Sequence, residues 1–289
     1  MFNYSALETL QYVRKHSSIS KAAQELGITQ AAASIRLKSL EDSFGKPILY
    51  RSKTIKLTSF GEELLLHYLK VKLLEEDALK ERTGCIQIPI AVNVESLELW
   101  FLKALQPFVQ THPNYNFQFL VDDQDVTTKY LAEAKAIAAI SSSGDCPSGF
   151  ESFFLGKMAY VFVANPFIIE SFPLRAKNNK IPFFPLCRFS YADQLHEQFM
   201  KLYFPKEKIS FTDHVIPSTA GLLEAALNGL GYAALPFKVA EKYINKGELV
   251  VLRPKHIYEI ELYYIQSTLL STGLKELGLT VREYAKKYF

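Results

Sequence analysis

Gly27 splits residues 20 to 42 into two short helix-forming runs, and this break restricts the start of the chain to a helical hairpin. Ser20 is positioned to cap the first run, which continues through Leu26. Gly27 supplies the left-handed backbone that stops a helix, and Thr29 caps a second run to about Asp42. Ahead of them, Leu7, Leu10 and Val13 recur every three residues between Tyr4 and His16, which predicts an amphipathic first helix. Helices joined through Gly27 and Ile28 make a helix-turn-helix. After Gly45 and Pro47, two short β-prone pieces, Ile48 to Arg51 and Ile55 to Thr58, flank Lys53 and Thr54 and predict a wing.

A major groove admits one α-helix, and the helix that enters it needs short, polar residues near its start. The third helix opens Thr29-Gln30-Ala31-Ala32-Ala33-Ser34. On a 3.6-residue period Ala33, Leu37 and Leu40 share the packing side, while Gln30, Ala31, Ser34, Ile35 and Lys38 point the other way. Gln30 can pair with an adenine edge, Ser34 serves either base type, and Ala31 or Ile35 can touch thymine methyls. Arg36, Lys38, Arg51, Lys53 and Lys56 are candidates for phosphate contacts. The plainer alternative makes Ala22, Ala23 and Ala31 to Ala33 only small residues at a helix crossing. Charge favours the first reading: residues 1 to 58 hold nine Lys/Arg against four Asp/Glu, and the remainder holds 24 against 26. One basic end on a near-neutral body suits contact with a polyanion.

Thr58 caps a proline-free stretch from Ser59 to Arg82 that places Leu65, Leu66, Leu69, Leu73 and Leu79 near one side. Those leucines need a partner, either a second subunit or the chain's own following domain. Thr83-Gly84 then ends the helix, and strand-like runs begin to alternate with helical ones, which predicts parallel α/β sheets. The Pro-rich stretch from Phe172 to Leu186 reads as an irregular loop.

Parallel sheets bind ligands beyond the carboxyl ends of their strands, where three segments fall. Asn93-Val94-Glu95-Ser96 and Ser218-Thr219 each open a helix after a strand and offer donors to a carboxylate. Asp122-Asp123, with Asp125 nearby, offers negative charge to an amine. Together they describe an amino-acid pocket, especially for a basic one. Each piece has a plain alternative: Ser96, Ser218 and Asp123 as helix caps, and Glu95 as a complement to a helix dipole.

The run Ser20-Lys21-Ala22-Ala23-Gln24-Glu25-Leu26-Gly27-Ile28-Thr29-Gln30-Ala31-Ala32-Ala33-Ser34, then Leu37, Leu40-Glu41, Phe44-Gly45, Pro47-Ile48-Leu49 and Arg51, resembles the LysR-type regulator signature. The likeness continues through Leu57-Thr58 and Gly61. Ile35 and Ala31 depart from the residues common there, so an operator sequence does not transfer. Ile90 to Trp100, Phe119 to Asp123 and Ala138 to Ser141 resemble the LysR subfamily that controls lysine and arginine export.

The resemblance implies a winged helix-turn-helix at 1–58, a linker and dimerisation helix at 59–84, and an α/β, two-lobed, periplasmic-binding-protein-like effector domain at 85–289. One lobe would span about 85–163 and 266–289, the other about 164–265. It implies a transcriptional regulator that answers to lysine or arginine and controls amino-acid export or metabolism genes. Implied effector contacts are Asn93, Ser96, Asp122, Asp123 and Ser218, beside which Glu95, Ser141 and Thr219 are further candidates at the same strand ends. Implied partners are double-stranded promoter DNA and further copies of the chain in a dimer or tetramer, with RNA polymerase also open to it. Arg188, by contrast, stands near a position where relatives carry an acid, and its charge would oppose a basic ligand.

No GxSxG, HExxH, Walker or strand-borne GxGxxG motif is present, so no enzyme is expected. Cys85, Cys146 and Cys187 are odd in number and scattered, which suggests neither disulfide framework nor metal site; no cofactor is expected. The N-terminus is unlike a signal peptide and no apolar run reaches membrane length, so a cytoplasmic protein is expected. The competing reading is a solute-binding protein of the same two-lobed class, exported or cytoplasmic, which would leave the basic head unexplained.

Overall fold

The computed structural model describes residues 2–50, 55–79, 86–122, 127–171, 183–191, 193, 195–203, 210–252 and 257–289. Arg51, Lys53 and Asp123 lie outside the described residues, as do the side chains of Leu73 and Leu79.

The head consists of α1 (Tyr4–His16), α2 (Ile19–Glu25), α3 (Gln30–Phe44) and a two-stranded antiparallel wing, β1 (Leu49–Tyr50) and β2 (Lys56–Leu57). Leu7, Leu10 and Val13 of α1 meet Ala22, Leu37 and Leu40 in one core, as the three-residue spacing predicts. Ser18, not Ser20, caps α2: its side chain accepts from the Lys21 N–H, two residues earlier than the sequence suggests. Gly27 takes φ +64° and ends α2, while Gly45 at φ +63° ends α3. Glu41 on α3 accepts from the Ile48 N–H at 3.1 Å and ties the wing to that helix.

α4 (Ser59–Leu79) leaves the wing through Thr58, whose hydroxyl donates to the Pro47 carbonyl at 2.8 Å and accepts from the Gly61 N–H at 3.1 Å. Gly61 is required there, because a β-carbon would run into the Ile48 carbonyl oxygen. Leu64, Leu65 and Tyr68 of this helix complete the head core. Leu66 and Leu69 pack instead against the core of the following domain, and the Lys70 ammonium lies over the Phe150 ring.

The rest is built on a mixed sheet, nine-stranded among the described residues. Its strands are β3 (Ile86–Asn93), β4 (Tyr115–Asp122), β5 (Ala138–Ser141), β6 (Phe150–Ala164), β7 (Phe183–Arg188), β8 (Ser210–Val215), β9 (Tyr232–Pro236), β10 (Val250–Val251) and β11 (Tyr258–Ser267). The order is β4-β3-β5-β11-β6-β9-β7-β8, with β10 also on β6. β3 runs parallel to β4 and β5 in one lobe, and β7 runs parallel to β8 and β9 in the other. β6 and β11 are antiparallel to each other and to their other neighbours, so the wholly parallel sheet expected from alternation is corrected to a mixed one.

β6 and β11 pass through both lobes. Tyr263 to Gln266 pair with β5 on one side, whereas Tyr160 to Val163 pair with β9 on the other. Between these regions the β6–β11 register slips by one residue, leaving Leu155 without an opposite partner next to Gly156 at φ +149°. This bulge lies earlier in β6 than residue 163, where the sequence division places the lobe boundary.

The sheet is covered by α5 (Val94–Ser96), a π-helical turn at Leu97–Phe101, α6 (Leu102–Thr111), α7 (Thr127–Ala132), α8 (Pro166–Ser171), α9 (Leu195–Tyr203), α10 (Thr219–Leu227), α11 (Phe237–Asn245) and α12 (Thr272–Tyr288). Residues 183–186, expected in an irregular loop, belong to β7, with Pro185 opposite Thr212 of β8. Among the described residues no helix is long and apolar enough to cross a membrane.

Candidate nucleic-acid interface and effector cleft

The third helix divides as its period requires. Ala33, Leu37 and Leu40 are buried, whereas Gln30, Ala31 and Lys38 are exposed and Ser34 and Arg36 are half-buried. Ile35 is 69% exposed, a branched apolar side chain held in water on the face that carries Gln30. Singly exposed apolar side chains are ordinary on a protein surface, and this one shares its face with Gln30 and Ala31. Thr29 accepts from the Ala32 N–H at 3.1 Å, which fixes the start of the helix. Lys56 is exposed on β2, on the wing.

The structure brings the lobe I candidates to one sheet edge. Asn93 ends β3 and stands in register with Asp122, which ends β4. Ser141 ends β5, two residues beyond the Ala91–Ala139 pair on each strand. Asn93 occupies the N-cap position of α5 without making a side-chain cap; it donates instead to Glu95 Oε2 at 3.0 Å, and its buried Oδ1 has no partner among the described residues. Ser96 makes no side-chain cap: it is the last residue of α5, fully buried, and its hydroxyl is equally unpartnered. Ser141 accepts from the Ser143 N–H at 3.1 Å and is buried.

In lobe II the two adjacent candidates separate. Ser218 caps α10 by accepting from the Gly221 N–H at 3.2 Å. Thr219 is buried, and its Oγ1 has no partner among the described residues. A buried hydroxyl without a hydrogen bond costs about 1–3 kcal/mol, and Thr219 carries this one in the first turn of α10. Ser96 and Thr219 therefore present one such group from each lobe.

Sequence reasoning missed the arrangement around Arg188. This residue ends β7, is 5% exposed, and places Nη2 at 2.5 Å from Glu197 Oε1 on α9 and Nε at 3.6 Å from Asp213 Oδ1 on β8. Two carboxylates offset its charge, which the expectation drawn from Arg188 alone leaves out. A charged residue closing an otherwise apolar strand was the available signal, since a buried guanidinium demands a carboxylate. Beside it, burial works to raise the Asp193 carboxyl, but hydrogen bonding and charge from His196, with the Leu195 and Phe189 N–H groups, hold it below the usual range. Burial pushes the Cys187 thiol up to about 11, which makes it unreactive; Cys146 is exposed.

Residues 4–62 match the family described as bacterial regulatory helix-turn-helix protein, lysR family, and residues 87–285 match the LysR substrate binding domain. The HTH-type transcriptional regulator ArgP of Aeromonas salmonicida is 34% identical over 278 residues, covering 94% of this chain and 92% of that protein. Its counterpart from Salmonella typhi is 31% identical over 290 residues, covering 99% and 97%. Among solved structures, ArgP from Mycobacterium tuberculosis superimposes with a TM-score of 0.81 at 26% identity, over 99% of this chain and 98% of that one. Full-length LysG from Corynebacterium glutamicum with bound effector Arg shares the fold, with a TM-score of 0.74 at 24% identity over 99% of both chains. With a basic three-helix head, a wing and a two-lobed domain carrying polar groups at its strand ends, the chain belongs to the LysR family of DNA-binding transcriptional regulators.

Proposed function

We propose that this regulator senses a basic amino acid, lysine or arginine, held between its two lobes. The observation that carries the reading is the lobe I edge: Asn93 and Asp122 stand side by side in strand register, with the buried, unpartnered Ser96 hydroxyl a turn away. Donors at Asn93, Ser96 and Thr219 suit a carboxylate, and acids at Asp122 and Asp123 suit an amine. Ser141 and Glu95 support that edge, and Ser218 acts on the ligand through α10, whose start it fixes. Glu197 and Asp213 offset the charge of Arg188, so that residue does not argue against a basic ligand.

In the same reading Gln30, Ala31, Ser34 and Ile35 face base edges, and Arg36, Lys38, Arg51, Lys53 and Lys56 hold phosphates on either side. The operative units are 1–58, 59–84 and 85–289, and the protein acts in the cytoplasm as a dimer or tetramer that presents several heads to a roughly palindromic site. RNA polymerase is the partner such a promoter-bound assembly would meet. It has no enzymatic role in this reading.

Thermal melting with added arginine, lysine or norleucine tests the effector. A ligand that binds only the folded state raises the midpoint by mass action, so the two basic amino acids should raise it and norleucine should not. Equal midpoints under all conditions would remove the basic amino-acid assignment.

A further inference from the structure

The end of α12 makes a set of contacts that the effector reading does not use. α12 packs on α6 and belongs to lobe I. Its last residues reach the place where β6 passes between the lobes: a β-carbon on Gly156, beside the bulge, would overlap the Phe289 side chain, with Cγ at 2.7 Å. Glycine at that position therefore allows Phe289 to lie directly against the strand that both lobes share. A φ of +149° there is open to glycine and rarely to other residues.

From the same place the aromatic rings lead in two directions. Trp100 meets Phe289 edge-on at 5.6 Å and Tyr288 at 6.2 Å between ring centroids. Trp100 is wholly buried and sits in the π-helical turn that continues α5, the helix carrying Ser96. A π-helical turn is an irregularity common at functional sites. In the other direction Lys238, in the first turn of α11 in lobe II, places its ammonium 3.6 Å from the Tyr288 ring centroid and donates to the Tyr288 carbonyl.

We propose that Lys238, Tyr288 and Phe289 form a latch between the lobes, bearing on the hinge at Gly156 and on the effector helix through Trp100. The latch spans lobe II, the hinge strand and lobe I in one continuous contact. A change of lobe angle must therefore either carry Tyr288 along with Lys238 or break the cation–ring contact. Movement of Ser96 likewise shifts Trp100 against Phe289, because Trp100 lies four positions beyond Ser96 in the π-helical turn that continues α5. Lys238 and Phe289 are positioning residues: they set the cost of leaving the present lobe angle and have no part in holding a ligand.

The test uses full-length protein with Cys85→Ser and Cys146→Ser, spin-labelled at cysteines placed at Lys129 in lobe I and Lys246 in lobe II, Cys187 being buried. Pulsed dipolar spectroscopy without effector reads the distribution of lobe separations. Lys238→Met and Phe289→Ala should each enlarge the minor population about two- to five-fold, the size expected from losing one exposed cation–ring contact. The double variant should enlarge it no more than the stronger single one, since both act in one unit. Distributions that superimpose on the parent, with unchanged circular dichroism, would overturn the latch. No effector enters the measurement, so failure of the lysine or arginine assignment would leave its outcome unaffected. Lys238 is exposed, and its replacement by Met tests the charge without opening the core.

Discussion

Arg188 and Glu197 meet at 2.5 Å between Nη2 and Oε1, joining the end of β7 to the first turns of α9. The guanidinium is buried and depends on this carboxylate, with Asp213 the other acid near it at 3.6 Å. Glu197→Gln should therefore destabilise the effector domain. Breaking a fully buried pair costs about 3–5 kcal/mol, but the Glu197 side chain is 39% exposed and Asp213 stays in place, so about 1–2 kcal/mol is expected. Urea unfolding measures it, and an unchanged midpoint would show that Asp213 alone suffices.

Ser96 and Ser218 should respond in opposite ways. Ser96→Ala removes a hydroxyl that has no partner among the described residues, so stability should hold or rise while effector affinity falls. Ser218→Ala removes a helix cap and should cost about 1 kcal/mol of stability. Melting and ligand titration on both variants separate the roles. A large loss of stability in Ser96→Ala would mean that the hydroxyl is bonded within the protein.

The leucines of α4 predict a division between folding and assembly. Leu65 lies in the head core, so Leu65→Ala should cost about 2–5 kcal/mol and loosen the head. Leu74 is exposed on the same helix, and Leu74→Glu should weaken self-association with little effect on the fold of one chain. Sedimentation velocity distinguishes them. If the two changes lowered oligomerisation equally, the face buried within one chain and the face offered to a second would not be separate.

The Asp193 carboxyl predicts an acid-side effect. Its pKa is lower in the folded state than in the unfolded chain, so it contributes stability above its unfolded value, and this is lost as pH falls through the folded value. Asp193→Asn should reduce stability at neutral pH and flatten the fall on acidification. Parallel pH profiles for variant and parent would place the stabilising interaction elsewhere.

Local sequence carried the head further than the effector domain. α1 and the buried side of α3 follow from apolar spacing alone, since Leu7, Leu10, Val13, Ala33, Leu37 and Leu40 need only helical geometry to align. The first half of β6 was not legible, because Glu151, Ser152, Gly156 and Lys157 interrupt its apolar pattern and its strand character comes from pairing with β11 a hundred residues later. β7 was hidden by Pro185, which reads as a loop residue until parallel pairing with β8 places it in a strand. At the effector edge, strand ends pointed to Asn93 and Asp122, but only folding joins Arg188 to Glu197 and Asp213.

Reading of DNA by the exposed side of α3 is tested most directly by fluorescence anisotropy on the chain's own upstream DNA across a salt series, with Gln30→Ala beside the parent. The account predicts a site bound far more tightly than unrelated duplex, with log affinity falling linearly with log salt. Gln30→Ala should lose about 1–3 kcal/mol on that site and almost nothing on unrelated DNA. Equal losses on both duplexes, or no binding to any duplex at low ionic strength, would contradict it.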